Sequence, residues 1–344
     1  MESNLNRMST TRTNPAETKL VICVWHPFTF WRPQPVLPET LRRRWPEMRV
    51  LHLPDYDSLP QELPDTDIFV GYSLRPQQLP LAKKLKWLHS TAAGVAQLIY
   101  PELRDSGIVV TNPSGIFSVP MAEHTMGLLV ALARNFPDSV RHQDRSQWGQ
   151  QDLWDKPQRL TELNGQLLLI VGYGSIGREL ARRAHAFDLR IWGVTRSGKG
   201  DPTQAEKIVP AAELDDVLPQ ADYVVVAAPE TQETAQLMNA ARISKMKRGA
   251  RLINVGRGSL LDEVALLRAL ETRALAGAAV DVTGTEPLPP DSPLWKAPNL
   301  FITPHTSAVS DRLWIRQAEI LVQLLERWFD GRELFNRVDF SRGY

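Results

Sequence analysis

Leu167-Leu168-Leu169-Ile170-Val171-Gly172-Tyr173-Gly174-Ser175-Ile176-Gly177 decides the fold of this chain. Five consecutive apolar residues read as a buried strand. The glycines follow in the order G-x-G-x-x-G, and 176–186 reads as a helix. Strand, glycine turn and helix in that order open a βαβ unit that binds a dinucleotide. Gly172 permits the tight turn, Gly174 lets the backbone approach a pyrophosphate, and Gly177 lets helix and strand pack closely. The helix start, at Ser175 and Ile176, offers unpaired N–H groups and a positive dipole to phosphates. A glycine-rich turn without a ligand is the plainer alternative.

Downstream, apolar runs at 190–195, 223–228, 251–255, 277–282 and 300–303 alternate with helical stretches at 212–218, 240–246 and 262–271. With 167–171 they predict six strands joined by crossover helices, a doubly wound nucleotide-binding domain. Upstream, apolar runs at 20–24, 49–53, 68–70, 87–89 and 109–111 predict a second parallel sheet, with helical segments such as 40–44 between them. That alternation ends at Asn112-Pro113-Ser114-Gly115, which suits a domain crossing. Residues 119–134 are apolar on most sides, so this helix must be buried, under the second domain or in a subunit interface. Residues 135–163 are polar, carry Trp148 and Trp154, and read as a long irregular arm. The stretch 311–329 reads as an amphipathic helix returning to the first domain. The expected fold class is α/β with two doubly wound parallel-sheet domains. Residues 19–112 and 307–344 form one, 113–306 the other, and 1–18 a disordered tail.

Composition fits this division. The chain has 344 residues, more than one ordinary core uses, and 43% of them are hydrophobic. A formal net charge of +1 gives no electrostatic reason to expect a nucleic-acid or membrane partner. No apolar stretch is long enough to span a bilayer. The first eighteen residues lack the apolar centre of a secretory signal, and Met8 is an alternative start. Cys23 is the single cysteine and reads as an inert core thiol. It completes neither a disulfide nor a metal site, no metal is expected, and a reducing, cytoplasmic compartment suits it.

The strand at 190–195 selects the nicotinamide cofactor. NAD enzymes place an acid at its end, about twenty residues beyond the glycines, to bond the ribose hydroxyls. Here the strand ends Val194-Thr195-Arg196-Ser197, with Lys199 nearby and no carboxylate. Arginine pairs with a 2′-phosphate, so Thr195, Arg196 and Ser197 predict NADP in preference to NAD. A solvated surface arginine is the alternative. Three titratable residues follow other strands: Arg257 after 251–255, Glu286 after 277–282, and His305 after 300–303. They supply what hydride transfer to a 2-keto acid needs. Histidine gives the developing alkoxide a proton near neutral pH, a neighbouring carboxylate orients the ring, and arginine holds a carboxylate and a polarised carbonyl. Spacing alone leaves open a structural histidine, a solvated arginine and an ordinary loop acid.

Longer motifs run from Trp87 to the C-terminus. They include Ala93-Gly94-Val95, Met121-Ala122-Glu123-His124, the glycine fingerprint, and Pro229-Glu230-Thr231-Gln232-Glu233-Thr234. Met246-Lys247-Arg248-Gly249-Ala250, Asn254-Val255-Gly256-Arg257-Gly258, Asp281-Val282 and Thr303-Pro304-His305 continue the pattern. On these the chain resembles the D-isomer-specific 2-hydroxyacid dehydrogenases. Glu286-Pro287-Leu288-Pro289-Pro290, Ser292-Pro293-Leu294-Trp295 and the ending Arg342-Gly343-Tyr344 look most like the bacterial glyoxylate/hydroxypyruvate reductases, a branch that tends to use NADP. The resemblance implies a Rossmann NAD(P)-binding domain inserted into a discontinuous flavodoxin-like substrate domain. It implies His305 as acid/base, Glu286 as its partner and Arg257 as the substrate-binding arginine. The amides around Gly94 and Val95 would hold the substrate carboxylate. Asp281 would lie beside the nicotinamide, and Pro229, Thr234, Val255 and Gly256 would line the cofactor. It also implies a homodimer through the long helix and arm.

Trp25-His26-Pro27-Phe28-Thr29-Phe30-Trp31-Arg32 matches no signature of that family. It reads either as a cap on the substrate site or as ordinary core and surface loop. Two other functions share the resemblance. One is a dinucleotide-dependent corepressor-like binding protein, against which the short tail argues. The other is a phosphite dehydrogenase; Glu286 argues against the related formate type, which carries glutamine there.

Overall fold

The computed structural model describes residues 12–156 and 160–341. Contacts divide the chain into Met1–Ile116 with Val309–Tyr344 (unit 1) and Phe117–Ala308 (unit 2).

In unit 1, β1 (Lys19–Cys23), β2 (Arg49–Leu53), β3 (Ile68–Gly71), β4 (Trp87–Ser90) and β5 (Val109–Thr111) form one sheet. Its order is β2-β1-β3-β4-β5, with every pair parallel. This is the flavodoxin-like order. The central strands β1, β3 and β4 are buried at every residue, as a sheet covered on both faces requires. The helix Leu313–Phe329 returns to this unit and lies against the helix Val36–Arg44. Trp45 meets Phe329 edge-on at 5.5 Å between centroids, and Trp87 meets Trp328 at 5.5 Å. The Gln317 amide donates to the Thr91 carbonyl at 2.7 Å. The Cys23 thiol donates to the Asp55 carbonyl, and burial with the Asp55 charge pushes it up to about 12, as an inert core thiol requires.

Order begins earlier than the expected tail of 1–18 allows. Asn14 caps a 3-10 turn at Pro15–Glu17 by accepting from the Ala16 amide, and Thr18 is buried with its hydroxyl on the Asn14 carbonyl. Polar composition hid this, because the order comes from capping rather than from apolar burial. Residues 1–11, with Met8, and the ending Arg342-Gly343-Tyr344 lie outside the described residues.

In unit 2, β6 (Leu167–Val171), β7 (Arg190–Thr195), β8 (Lys207–Pro210), β9 (Tyr223–Val226), β10 (Arg251–Asn254), β11 (Gly277–Val280) and β12 (Leu300–Ile302) form a parallel sheet. Its order is β12-β11-β10-β9-β6-β7-β8, the dinucleotide-binding arrangement with one strand more than the six expected. The unforeseen strand is β8. It pairs only with β7 and carries Pro210, which an edge tolerates. The strands β9 to β12 stop one or two residues short of their apolar runs, and the freed residues begin the loops of the site. The helix Ser118–Ala133 is buried on most sides because it packs on the helix Ser175–Ala184 and on β10 and β11. The arm is largely helical rather than irregular, at Phe136–Asp144 and Gln150–Asp155. Asn135, with φ +51°, turns the chain out of the preceding helix. Asp138 then pairs with Arg141 and Lys156, while the His142 ring fills the space beside Gly149. Short helices that are polar on several faces leave little periodicity to read.

Candidate active site

The glycine turn has the shape that its spacing predicts. Gly172 sits at φ +97°, and a Cβ there would lie 2.5 Å from the Ala228 nitrogen. A Cβ on Gly177 would lie 2.8 Å from the Gly172 carbonyl, so that position sets the closeness of helix to strand. A Cβ on Gly174 meets nothing within 4 Å. The second glycine therefore borders open space at the start of the helix Ser175–Ala184, beside Ser175 and Ile176. This is the cradle that a pyrophosphate fits.

Beyond β7, the Thr195 hydroxyl donates to the Lys199 carbonyl at 3.0 Å. Arg196 and Ser197 are exposed, and among the described residues nothing pairs with the Arg196 guanidinium. The nearest following acid, Asp201, is turned onto Thr203, whose amide it accepts at 2.9 Å. Its charge still reaches Tyr173 in the glycine turn and Arg178 in the following helix. After β9, the Thr234 hydroxyl closes the 229–234 loop by donating to the Pro229 carbonyl at 2.7 Å and accepting from the Thr231 amide at 2.8 Å. Val255 is buried, its amide on the Val226 carbonyl at 3.0 Å, and leads into Gly256.

Arg257, Glu286 and His305 lie in the loops after β10, β11 and β12. Asn254 is buried and builds the first of these. Its side chain donates to the Arg257 carbonyl at 2.9 Å and accepts from the Gly256 amide at 3.0 Å. The Arg257 side chain is exposed, with one hydrogen bond to the Gly256 carbonyl at 2.8 Å. Gly258 lets this loop touch the next one, since a Cβ there would lie 2.1 Å from the Thr283 carbonyl. Glu286 accepts from the Thr283 amide at 3.0 Å through Oε1 and meets His305 Nδ1 at 2.6 Å through Oε2. His305 holds φ +53°, a conformation that a residue with a side chain rarely keeps without compensation.

The compensation comes from Asp281. Its carbonyl accepts from the His305 amide at 2.8 Å. Its carboxylate, wholly buried, accepts from the Thr303 hydroxyl at 2.7 Å and from the Thr306 and Ser307 amides, each at 2.9 Å. Burial alone would raise this carboxyl, but the Ser307, Thr303 and Thr306 hydrogen bonds outweigh it and hold the group below the usual carboxylate range. Since Thr303 gives its proton to Asp281, it accepts from His124 Nε2 at 3.1 Å, which fixes the His124 tautomer. Burial lowers the His124 pKa against the pull of Asp281, so the ring is neutral. Asp281 thus clamps the loop carrying His305, a task beyond the position beside the nicotinamide that the resemblance gave it. His124, named in the sequence only within the motif Met121-Ala122-Glu123-His124 and given no role there, joins this network.

In unit 1, Gly94 and Val95 follow β4. Gly94 is exposed, and Val95 points into the core with 2% of its surface accessible.

Residues 126–307 match the model of the NAD binding domain of the D-isomer specific 2-hydroxyacid dehydrogenases. The glyoxylate reductase of Thermofilum pendens is 35% identical over 71% of this chain and 72% of its own length. The crystal structure of a D-isomer specific 2-hydroxyacid dehydrogenase from Xanthobacter autotrophicus, in complex with NADPH, superposes with a TM-score of 0.81 at 26% identity, covering 95% of this chain and 99% of that one. An NADPH-dependent glyoxylate/hydroxypyruvate reductase from Sinorhizobium meliloti, solved with NADP and sulfate, gives 0.78 at 25% identity, covering 95% and 100%.

Proposed function

Because the chain belongs to the D-isomer-specific 2-hydroxyacid dehydrogenases and is an NAD(P)-dependent enzyme, we propose that it reduces a small 2-keto acid of the glyoxylate/hydroxypyruvate type to the D-2-hydroxy acid. The observation that carries this reading is the 2.6 Å pair of His305 Nδ1 and Glu286 Oε2, set one loop away from Arg257. Glu286 holds the ring through Nδ1, so the His305 proton is delivered from Nε2, which among the described residues bonds nothing else. That proton goes to the oxygen of the former carbonyl as charge develops on it. Arg257, with its guanidinium turned outward, polarises the carbonyl and pairs with the carboxylate. In unit 1, the amides of Gly94 and Val95 are the candidates for holding a substrate carboxylate. Gly172, Gly174, Ser175, Ile176 and Gly177 hold the dinucleotide, lined by Pro229, Thr234, Val255, Gly256 and Asp281. When bound, the reduced cofactor supplies the hydride. Thr195, Arg196, whose side chain bonds nothing among the described residues, and Ser197 support NADP over NAD, since a 2′-phosphate meets a free cation there.

Initial rates with glyoxylate and hydroxypyruvate, each with NADPH and NADH, test this. Faster turnover with NADPH upholds both parts. Activity with NADH alone discards the cofactor preference, and no activity on either acid discards the substrate.

A homodimer is part of the proposal. Phe136, Val140 and Trp154 on the two arm helices and Trp148 between them are all at least half exposed, Trp148 at 92%. Such an apolar surface suits a second copy. Light scattering should give twice the 38.8 kDa chain mass. A monomer at micromolar concentration would overturn it. Among the described residues no helix is long and apolar enough to cross a membrane. The buried lone thiol supports a cytoplasmic setting.

A further inference from the structure

The helix Ser118–Ala133 carries two consecutive ionisable residues, Glu123 and His124, and they meet different partners. Glu123 is exposed and pairs with Arg183 of the helix Ser175–Ala184 at 3.0 Å. His124 faces the residues that flank His305. Its Nε2 lies 3.1 Å from Thr303 Oγ1 and 3.7 Å from Asp281 Oδ1. A hydroxyl has one proton to give. Two neighbours of Thr303 could take it, the Asp281 carboxylate at 2.7 Å and the imidazole. A neutral ring with its proton on Nδ1 would present a bare Nε2 and compete for the hydroxyl. With the proton on Nε2 the ring can only donate there, and the Thr303 proton is left to Asp281. The consequence falls on His305. The Thr303 and Asp281 carbonyls accept its amide at 3.0 and 2.8 Å, and the Asp281 carboxylate accepts the next two amides. These bonds sustain the φ of +53° at His305. All of these residues belong to unit 2.

We propose that His124 is a positioning residue for proton transfer: it commits the Thr303 hydroxyl to Asp281 and thereby holds the backbone that aims the His305 ring. The proposal rests on the reading of His305 as the acid of a 2-keto acid reductase. His124 acts through Thr303 and Asp281 rather than on the reacting atoms, so its loss lowers kcat and leaves KM and NADPH binding in place. Metal-ligating histidines are held in the same way, and there the outer hydrogen bonds are worth about ten- to a hundredfold. A residue that only filled space beside Thr303 would behave differently, because any ring of similar bulk would replace it.

The test is kcat and KM of the full-length enzyme with NADPH and whichever of glyoxylate and hydroxypyruvate it reduces. His124→Phe keeps a ring and removes the donor, so kcat should fall about tenfold while KM stays within about twofold. His124→Gln places an amide N–H near the position of Nε2 and should recover most of kcat. Glu123→Gln weakens the exposed pair on the same turn of helix and should leave kcat within about twofold. Thr303→Val removes the relay, so adding His124→Phe to it should lower kcat by less than about twofold more. An unchanged kcat in His124→Phe, equal losses in the Phe and Gln variants, or a second loss of full size in the double variant overturns the proposal. If neither acid is reduced by the parent, the reductase reading fails, and NMR of the imidazole nitrogens decides the positioning separately. The His305 signals, identified by their absence in His305→Ala, should move in His124→Phe and return in His124→Gln; signals unmoved in the Phe variant overturn the proposal. The parent spectrum at neutral pH is a test that needs no active or altered enzyme beyond assignment. A proton on His124 Nε2 upholds the proposal, and a proton on Nδ1 alone overturns it.

Discussion

His305 and Arg196 stand beyond the carboxyl ends of the same seven-stranded sheet, and they are held in opposite ways. The amide of His305 is bonded to the carbonyls of Asp281 and Thr303, its ring is on Glu286, and the next two amides are on the Asp281 carboxylate. Arg196 is exposed and, among the described residues, bonded to nothing through its side chain. Arg257 lies between these extremes, with its loop fixed by Asn254 and its guanidinium nearly free. On the proposed mechanism His305 transfers a proton and must be in place before the substrate arrives, which its internal hydrogen bonds ensure. A group that meets an anionic ligand serves better unpaired, because binding then breaks no internal ion pair.

The sharpest way to break that contrast is His305→Ala. Turnover should fall about a thousandfold, within the range that general acid–base catalysis supplies. NADPH binding, followed by fluorescence titration, should stay unchanged. Loss of binding together with turnover would mean that the loop, rather than the proton, was what His305 provides. Arg257→Ala should be milder, about a hundredfold in kcat/KM, as for losing a charge-assisted contact. Its effect should divide between a higher KM and a lower kcat, since the carboxylate is unpaired in both ground and transition states. Thermal stability should barely move, given the single side-chain bond to Gly256.

Asp281→Asn tests the clamp itself. A buried carboxylate that accepts three hydrogen bonds is replaced by a group that accepts fewer, which should cost about 2 kcal/mol of stability at neutral pH. The folded carboxyl titrates below its ordinary value of 3.8. Its contribution is therefore complete above that value and is lost as pH falls through the depressed folded value. Denaturant melts of parent and variant should differ fully at pH 7 and converge below pH 3.8. A gap that persists unchanged into strong acid would show that packing, and not charge, makes the clamp.

The same division explains what the sequence could reveal. Buried parallel strands are legible because each is a continuous apolar run: Leu167–Val171 and Val109–Thr111 fall where the patterning puts them. The glycine turn is legible because each glycine answers a separate steric need, at Gly172, Gly174 and Gly177. His305, Glu286 and Arg257 stood at strand ends, but their roles came from the resemblance, since spacing cannot show that two side chains meet. The hidden features depend on partners distant in the chain. The strand Lys207–Pro210 is an edge strand closed by a proline, and the clamp on Asp281 needs Thr303, Thr306 and Ser307 from the loop after the next strand. His124 joins that network from 179 residues before Thr303. The arm helices were obscured for another reason: they bury too little to impose a period on their sequence.

Arg196→Ala should have the smallest effect and is the most direct test of the unpaired end of the comparison. The ratio of kcat/KM with NADPH to that with NADH should fall about tenfold, the lower end for a hydrogen-bonded contact to a charged group, because the guanidinium is exposed. Exposure also predicts how the preference responds to salt. Between 0.05 and 0.5 M ionic strength, as example conditions, the screening length shrinks from roughly 14 Å to roughly 4 Å, so the parent's NADPH preference should narrow toward that of the variant. Turnover by His305 and Glu286, paired at 2.6 Å, should respond far less. Had Arg196 been tied to an internal carboxylate, salt would instead loosen that tie and partly offset the screening of the phosphate. A cofactor preference indifferent to ionic strength would therefore move the 2′-phosphate contact away from this loop.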